Sequence, residues 1–351
     1  MEFLNEYGLF LAKSITVVIA VAIIAGIVAS LGQKGKRQEK GHIEVVSLNE
    51  TVTSMSDALA DVLESADTRK AALKAKKKTH KAEEKAVKKA LKSGAGPVIK
   101  KRVFVLDFHG DLRASAVDSF REEITTILAQ ASSNDEVVVR LESGGGMVAG
   151  YGLAASQLDR IKKKNIPLTV CIDKVAASGG YMMACVADQI LAAPFAVIGS
   201  IGVVAQIPNV HRLLKKHDVD IELMTAGKYK RTLTMLGENT DEGREKFREE
   251  LEDTHDLFKA FVGDHRPGLD IEAIATGEVW YGAPAIKKGL VDDTKTSDEY
   301  LTDQLDSADV YTVAYAHKKS LPEKLGFALE NSGDRFLMRW LRRLMGPAPL
   351  S

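Results

Sequence analysis

Residues 166–188 read IPLTVCIDKVAASGGYMMACVAD. The run IPLTVCI at 166–172 has the length and β-branched content of a buried strand, and YMMACVAD continues as a helix after the turn. Between them, the small residues from Ala176 to Gly180 allow the backbone to be approached closely, because glycine has no Cβ. A buried strand that leads through such a turn into a helix is typical of a parallel α/β fold.

The same alternation of strand and helix extends on both sides of this stretch, from Arg102 onwards. Residues 239–242, Asn-Thr-Asp-Glu, offer a cap and early acidic residues for a long helix. We therefore predict an α/β domain with strands at 102–108, 136–142, 189–195 and 220–226 and helices at 147–164 and 241–262.

The chain has 351 residues, of which 45% are hydrophobic and 27% are charged. This composition excludes a wholly disordered, collagen-like or polytopic membrane protein. Two cysteines, Cys171 and Cys185, lie in apolar runs, so we interpret them as core thiols rather than as a disulfide framework or a zinc site.

A membrane anchor is predicted near the N-terminus. Residues 14–32 contain no charged side chain and, as a helix, would span about 28 Å, the thickness of one hydrocarbon core. The run is longer than the apolar part of a typical cleavable signal peptide, so we predict a retained transmembrane helix. Lysines at 34, 36 and 40 follow it, and by the positive-inside rule they favour a cytoplasmic body.

A basic linker follows the anchor, although the chain as a whole has a net charge of zero. Residues 69–102 hold fourteen Lys and Arg against two Asp and Glu, counted along the sequence. Residues 43–68 are predicted to form a short amphipathic helix, and the Ala/Lys/Glu-rich stretch after them has few large apolar residues to bury. We interpret this stretch as a solvated tether, with attraction to anionic lipid as the alternative. Nucleic acid is not expected as a partner, because no aromatic residue is interleaved.

Three clusters of small residues follow predicted strands, at 143–146, 176–180 and 199–202. Ser178 lies in the middle cluster, just before a helix, where backbone amides can stabilise a developing oxyanion. As a nucleophile it would need a base; as an alternative it is an ordinary helix N-cap. This is not the G-x-S-x-G elbow of the α/β-hydrolases, because Ala176 stands at the first glycine position.

Two kinds of base are open for Ser178. Among the eight histidines only His109 lies just past a strand end, which would give a Ser-His-Asp triad, whereas His255 is interpreted as a solvated side chain of the charged helix. The other solution is a neutral lysine, which burial favours. Lys228 and Lys230 follow the predicted strand at 220–226 and are the candidates.

The combination of VAASGGYMMACVAD (175–188), GSIGV (199–203) and GKYK (227–230) resembles the bacterial signal peptide peptidase A family of membrane serine proteases, and within it the SohB branch. The resemblance extends over nearly the whole chain, through LDFHG, RLESGGGMVAGYGLAASQL, APFAVIGSIGVVAQ and TLTMLGENTDEGREKF. It implies a ClpP/crotonase-like fold with an N-terminal transmembrane helix and a Ser-Lys dyad, without a cofactor or a metal.

The resemblance also implies a role for each residue of the site. Ser178 matches the nucleophile and Lys230 the general base, with Lys228 the less favoured of the two lysines. Ser200 matches a serine that orients the lysine, and the amides of Gly179 and Gly145 match the oxyanion hole. The first cluster departs from the family, which commonly has proline at the position of Gly144; this exchange should loosen the turn without removing an amide.

The implied partners are polypeptide substrates, such as signal-peptide remnants or unfolded segments, a lipid bilayer and further copies of the chain in a homo-oligomeric ring. An apolar lining is expected near Tyr181, Met182 and Met183. The implied location is the bacterial inner membrane with a single pass, and here the resemblance allows a periplasmic body, against the charge rule. The predicted domains are an anchor (1–33), a helix and tether (34–101), the peptidase domain (102–318) and a basic amphipathic segment (319–351) that lies on the membrane or packs against the body.

Three other functions compete with a Ser-Lys protease. A noncatalytic membrane scaffold would keep the body for assembly, and the intact Ser178 and Lys230 are evidence against it. A Ser-His-Asp hydrolase would use His109. An acyl-CoA enzyme of the crotonase type would share the oxyanion hole, but the anchor and the lack of an acid/base carboxylate that we can assign disfavour it.

Overall fold

The computed structural model of the protein describes residues 7–11, 13–18, 41–65, 67–70, 74, 78, 81, 85 and 100–317. Its described elements comprise ten strands and nine helices. The strands are β1 (His42–Ser47), β2 (Lys101–His109), β3 (Glu136–Glu142), β4 (Leu168–Ile172), β5 (Val175–Ala177), β6 (Gln189–Ala192), β7 (Val197–Gly199), β8 (Val279–Tyr281), β9 (Asp293–Thr294) and β10 (Ala308–Ala316). The helices are α1 (Leu48–Leu63), α2 (Val117–Leu128), α3 (Val148–Lys162), α4 (Gly179–Ala184), α5 (His211–Lys216), α6 (Asp241–His265), α7 (Ile271–Ile274), α8 (Gly282–Lys287) and α9 (Ser297–Gln304).

Seven strands form the main sheet, in the order β1-β10-β2-β3-β4-β6-β9. From β10 to β9 every neighbouring pair is parallel. The central strands β2, β3 and β4 are buried on both faces, which explains why their sequences are nearly continuous apolar runs rather than alternating ones. The predicted α/β class is confirmed.

A second, three-stranded sheet carries the turns that follow the main sheet. Strand β5 pairs in parallel with β7, and β7 pairs in antiparallel with β8. Helix α4 begins directly after β5 and is buried along its whole length, so it holds the end of β5 against the core. The small sheet thereby fixes two of the glycine-containing turns, those after β5 and β7.

Two of the sequence-based elements differ from the structure. No strand forms at 220–226, where Ile221, Leu223 and Met224 are exposed and have no neighbouring strand to pair with, so that prediction is wrong. Residues 43–47, which were included in a predicted amphipathic helix, instead belong to strand β1 beside β10. The long helix is confirmed as α6, where Thr240 is the N-cap and its side chain accepts from the amide of Gly243.

Several predicted segments fall outside the described residues. Most of the predicted membrane span (19–32), most of the tether and the whole basic C-terminal segment (319–351) belong to them. In the part of the chain that is described, no helix combines the length and apolarity needed to cross a bilayer.

Candidate active site

Three segments run side by side beneath the candidate site: the turn after β3, strand β5 and strand β7. The Ser143 amide donates to Val175 O at 2.8 Å, and the Ala177 amide donates back to Ser143 O at 3.0 Å. On the other side of β5, the Ser178 amide donates to Gly199 O at 2.7 Å. Because the strands are parallel, the residues that follow them emerge at the same edge.

Ser178 has a conformation that a non-glycine residue seldom adopts, with φ 52° and ψ −120°. It precedes α4, but its side chain makes no capping hydrogen bond, so the alternative of an ordinary N-cap is wrong. Its side chain is partly exposed, and no hydrogen-bond partner of its hydroxyl is found among the described residues. Backbone strain at a serine whose hydroxyl lines a cleft is typical of a functional position.

Gly145 lies directly against this serine. It has φ +86°, and a Cβ at this position would be 2.7 Å from Ser178 Cβ, from the amide nitrogen of Gly179 and from Ala177 O. Its own amide donates to Ser143 Oγ at 3.0 Å. Within the described part of the chain, the Gly179 amide has no acceptor, so it is available to a bound oxygen atom.

A buried hydroxyl network supports the turn that contains Gly145. The Tyr151 hydroxyl donates to Asp111 O at 2.8 Å and lies 2.6 Å from Ser143 Oγ. The ring of Tyr151 also contacts Gly179, where any Cβ would collide with it. Burial raises the pKa of Tyr151, so the hydroxyl keeps its proton. The sequence does not predict these roles of Ser143 and Tyr151, because they depend on contacts across the fold.

Ser200 follows β7 as Ser178 follows β5. It has the same φ of 52°, and its amide donates to Glu278 O at 2.6 Å. Since Ala177 and Gly199 are register partners, the two serines lie at equivalent positions of neighbouring strands. Both line the same cleft.

The structure does not bring Lys230 to this place. Its side chain is exposed and it does not line the cleft around Ser178. Lys228 is also exposed, and its Nζ lies 2.7 Å from a carboxylate oxygen of Glu242. The hydrogen bond to Glu242 raises the pKa of Lys228, which keeps that lysine charged. The structure thus gathers four of the five predicted site residues, Ser178, Gly179, Gly145 and Ser200, within one chain.

The cleft has a volume of about 980 Å³. Its walls are formed by α3, α4, α6 and the segments after β7 and α7, and no Asp, Glu, Lys or Arg of the described residues lines it. Its apolar lining includes Leu112, Val148, Met182, Val203, Val204, Leu257, Phe258 and Phe261. Of the three residues expected to form this lining, Met182 does so. The other two are core residues: Met183 is fully buried, and the Tyr181 hydroxyl donates to Leu290 O at 2.9 Å.

The histidines differ from their predicted roles. His109 is 75% exposed and lies 3.8 Å from Glu142, outside the lining of the cleft, so the structure gives no support to a triad through it. His255, which we interpreted as a solvated side chain, instead lines the cleft, and its Nε2 has no contact with solvent. A signal existed in the sequence: His255 is three residues before Phe258, and such residues share one face of a helix.

Both cysteines are free and buried, and burial raises the pKa of each thiol to about 12. This confirms the prediction of core thiols. Among the residues that the structure describes, no three His, Cys, Asp or Glu side chains are grouped so that they could hold a metal ion.

Two family models match consecutive parts of the sequence. Peptidase family S49 N-terminal matches residues 2–158, and Peptidase family S49 matches residues 160–311. The chain belongs to peptidase family S49. It is therefore a serine-type peptidase, as the resemblance implied.

Individual relatives agree with this assignment. The chain is 52% identical over 341 residues to Probable protease SohB of Haemophilus influenzae, covering 97% of this chain and 96% of that one. It is 48% identical to Probable protease SohB of Buchnera aphidicola subsp. Schlechtendalia chinensis, over 86% and 99% of the two chains. Among solved structures, a mutant of the 1510-N membrane-bound stomatin-specific protease in complex with a substrate peptide matches 64% of this chain and 96% of its own, at 16% identity and a TM-score of 0.40. The predicted SohB-type protease is confirmed.

Proposed function

We propose that this S49 peptidase is a membrane-anchored serine endopeptidase that cleaves polypeptides through an acyl-enzyme on Ser178, with Lys230 as the general base. The observation that carries the proposal is the strained Ser178, whose unpartnered hydroxyl faces an uncharged cleft beside the amide of Gly179. We further propose that residues 102–318 form a ClpP/crotonase-like peptidase domain.

The reaction begins when Ser178 Oγ attacks the carbonyl carbon of a peptide bond and its proton passes to the neutral amine of Lys230. The tetrahedral intermediate then collapses, the C–N bond breaks, and the leaving amine takes the proton from Lys230. Water then attacks the resulting ester and loses a proton to Lys230. The second tetrahedral intermediate collapses, the bond between its carbon and Ser178 Oγ breaks, and Ser178 Oγ takes the proton back from Lys230 as the carboxylic acid leaves. Ser200, at the equivalent end of β7, holds the amine by a hydrogen bond to its hydroxyl.

Developing negative charge on the carbonyl oxygen needs hydrogen-bond donors that are already in position. Among the described residues the Gly179 amide has no competing acceptor, and we propose that it supplies the first of them. For the second we propose the Gly145 amide, which would exchange its bond to Ser143 Oγ for one to the substrate oxygen. Gly145 is suited to this because it has no Cβ. A Cβ at position 145 would lie 2.7 Å from Ser178 Cβ, which is too close.

Lys230 is exposed in the single chain, so we propose that an adjoining copy of the protein delivers it to the cleft. The segment that carries it exposes Val204, Leu213, Met224 and Met235, which a monomer would leave in water. Assembly into a ring of copies would bury these side chains and complete the dyad. An uncharged cleft next to the nucleophile suits extended apolar polypeptides, such as signal-peptide remnants or unfolded segments.

The membrane anchor is the remaining part of the proposal. Residues 1–33 would hold the enzyme in the inner membrane by a single pass, with 34–101 as a tether and 319–351 as a basic segment at the bilayer. An anchored enzyme meets membrane-derived peptides at a higher local concentration than a free one. The lysines after the predicted span favour a cytoplasmic body, and reporters fused to Ser351 that are active on only one side would test this.

The decisive experiment is labelling of the purified full-length protein by a serine-directed peptide inhibitor, with the modified residue mapped by mass spectrometry. We expect the label on Ser178. Ser178→Ala and Lys230→Met should each lower peptide cleavage by at least about a thousandfold, and the double variant should be no worse, because the two act as one unit. Lys228→Met is the matched control and should retain cleavage. Cleavage that persists in Ser178→Ala would refute this site, and a wild-type protein that neither labels nor cleaves would favour the noncatalytic scaffold.

A further inference from the structure

His255 lies on α6, which forms one wall of the cleft. Phe258 and Phe261 follow it on the same wall, so the imidazole is placed among apolar side chains. Its Nε2 is shielded from solvent, and no hydrogen-bond partner for it is found among the described residues.

A shielded polar nitrogen without a partner is rare in native proteins, because the nitrogen has lost its hydrogen bonds to water without replacing them. Such groups in a binding cleft are often satisfied only when the ligand is bound. Here the nitrogen belongs to a residue that lines the same cleft as Ser178, so a turn of the imidazole towards the open space of the cleft would let a substrate supply the partner that it lacks.

The chemistry of the cleft narrows down what that partner is. Of the residues that the structure describes, His255 is the one titratable side chain in the lining, and the other polar side chains there are hydroxyls: Ser156, Ser178, Ser200, Thr254 and Thr276. A cleft without Asp, Glu, Lys or Arg in its described lining is not built for a charged substrate side chain. The group that every extended polypeptide presents, whatever its sequence, is the peptide group, which offers both an N–H and a C=O.

We propose that His255 is a substrate-binding residue whose imidazole hydrogen-bonds to a main-chain peptide group of the polypeptide held in the cleft. The proposal rests on the proposed function, since it takes the substrate to be a peptide bound next to Ser178. It differs from a role as general base, because no hydrogen bond joins His255 to Ser178.

Binding without turnover tests this directly. In full-length Ser178→Ala, the dissociation constant of a fluorescently labelled apolar peptide is compared with those of analogues in which one amide at a time is replaced by an ester, which lacks the N–H and has a weaker carbonyl acceptor. We expect one ester position near the scissile bond to weaken binding about tenfold, the usual size of a lost hydrogen bond in a shielded site.

The same series is then measured in Ser178→Ala/His255→Phe. We expect this variant to bind the all-amide peptide about tenfold more weakly and to be indifferent to the ester at the sensitive position, while other positions keep their effects. His255→Gln, which retains a nitrogen at similar reach, should recover part of the affinity. His109→Phe is the matched control, since it makes the same exchange at an exposed position outside the cleft, and its ester profile should equal that of the parent.

Two results would overturn the proposal: no ester position that weakens binding in the parent, or a sensitive position that stays sensitive in His255→Phe. The first needs no variant at His255, so the test survives if His255→Phe fails to fold. Failure of the proposed function has a different signature, because cleavage by the wild type and its loss in Ser178→Ala are measured separately from binding. If the wild type is active but the effect of the ester does not depend on His255, the role proposed for His255 is rejected and the proposed function stands.

Discussion

At the scale of single residues, the site is defined by unusual backbone conformations. Ser178 and Ser200 both have φ 52°, although neither is a glycine, and Gly145 has φ +86°. For a residue other than glycine, a conformation of this kind costs about 1–3 kcal/mol and persists only where the surrounding structure enforces it. Here the enforcing contacts are the strand pairs beneath the turns, whose backbone hydrogen bonds leave little freedom at the residues that follow.

Gly145→Ala should therefore abolish most of the activity. The added methyl group would lie 2.7 Å from Ser178 Cβ and from the Gly179 amide nitrogen. The nucleophile and the oxyanion donor would both have to move away from it. We expect kcat/KM to fall at least about a hundredfold, as for loss of one oxyanion donor, while the protein stays folded. Gly144→Ala is the control, since its Cβ would point into open space and activity should change little. Equal activity in the two variants would show that the approach to Gly145 is irrelevant to catalysis.

At the scale of elements, α3 supports the turn after β3 through the Tyr151 hydroxyl. Tyr151→Phe would remove one donor to Asp111 O and the partner of the buried Ser143 Oγ, leaving both oxygen atoms with fewer hydrogen bonds. We expect the free energy of unfolding to fall by about 1–3 kcal/mol. Cleavage should also slow, because Ser143 Oγ accepts from the Gly145 amide. Chemical denaturation and steady-state kinetics measure the two effects. A variant that is as stable and as active as the wild type would contradict this role.

A second contact between elements joins the starts of β2 and β3. Arg102 donates to both carboxylate oxygens of Asp135, at 3.0 and 2.7 Å, and Ser132 donates to the same carboxylate. Burial acts to raise the pKa of Asp135, but these hydrogen bonds outweigh it and hold the pKa at about 2, below the usual 3.8. Because the folded pKa is depressed, the carboxylate stabilises the fold above about pH 4, and this contribution is lost as the pH falls towards 2.

Asp135→Asn should thus lower the free energy of unfolding by about 2 kcal/mol at pH 7, and the difference from wild type should shrink between about pH 4 and pH 2. Denaturant unfolding at a series of pH values measures it. Asp107→Asn is the comparison, because its bidentate pair with Arg140 is about one-third exposed and should contribute less than about 1 kcal/mol. A pH-independent difference at Asp135 would mean that the lost contact is not electrostatic.

At the scale of the whole molecule, the exposed Lys230 predicts that one chain is not a complete enzyme. If an adjoining copy delivers the lysine, then co-assembly of Ser178→Ala chains with Lys230→Met chains should recreate intact sites. We expect mixed particles to regain a substantial part of the wild-type cleavage, although each variant alone is inactive. Activity is measured after co-expression and purification by two different tags. Inactive mixed particles would show that each chain must supply its own lysine.

Assembly itself has a separate readout. The apolar side chains exposed between Val204 and Met235 include Met224, which is 84% exposed. Placing a charge there, as in Met224→Asp, should weaken association, because a charge at the core of an interface would lose its water without gaining a partner. Light scattering on the detergent-solubilised protein should show a smaller particle and a parallel loss of cleavage. Lys164→Asp, at an exposed position after α3 and outside this segment, is the control.

The sequence alone determined the α/β class, the central strands, the capped start of α6 and the cluster of Ser178 with its flanking glycines, because these depend on local apolar runs and on residues without a Cβ. The position of Ser178 before a helix made it a candidate nucleophile, whereas its assigned role and the choice of Lys230 over Lys228 came from motif resemblance. Only the tertiary structure decided which of these groups meet. It joined Gly145, Ser178 and Ser200 by pairing strands that are distant in sequence, left Lys230 exposed, turned residues 42–47 into an edge strand and placed His255 in the cleft. Local sequence sets the conformation of a segment, whereas its neighbours are chosen by long-range packing and strand pairing, which periodicity does not encode.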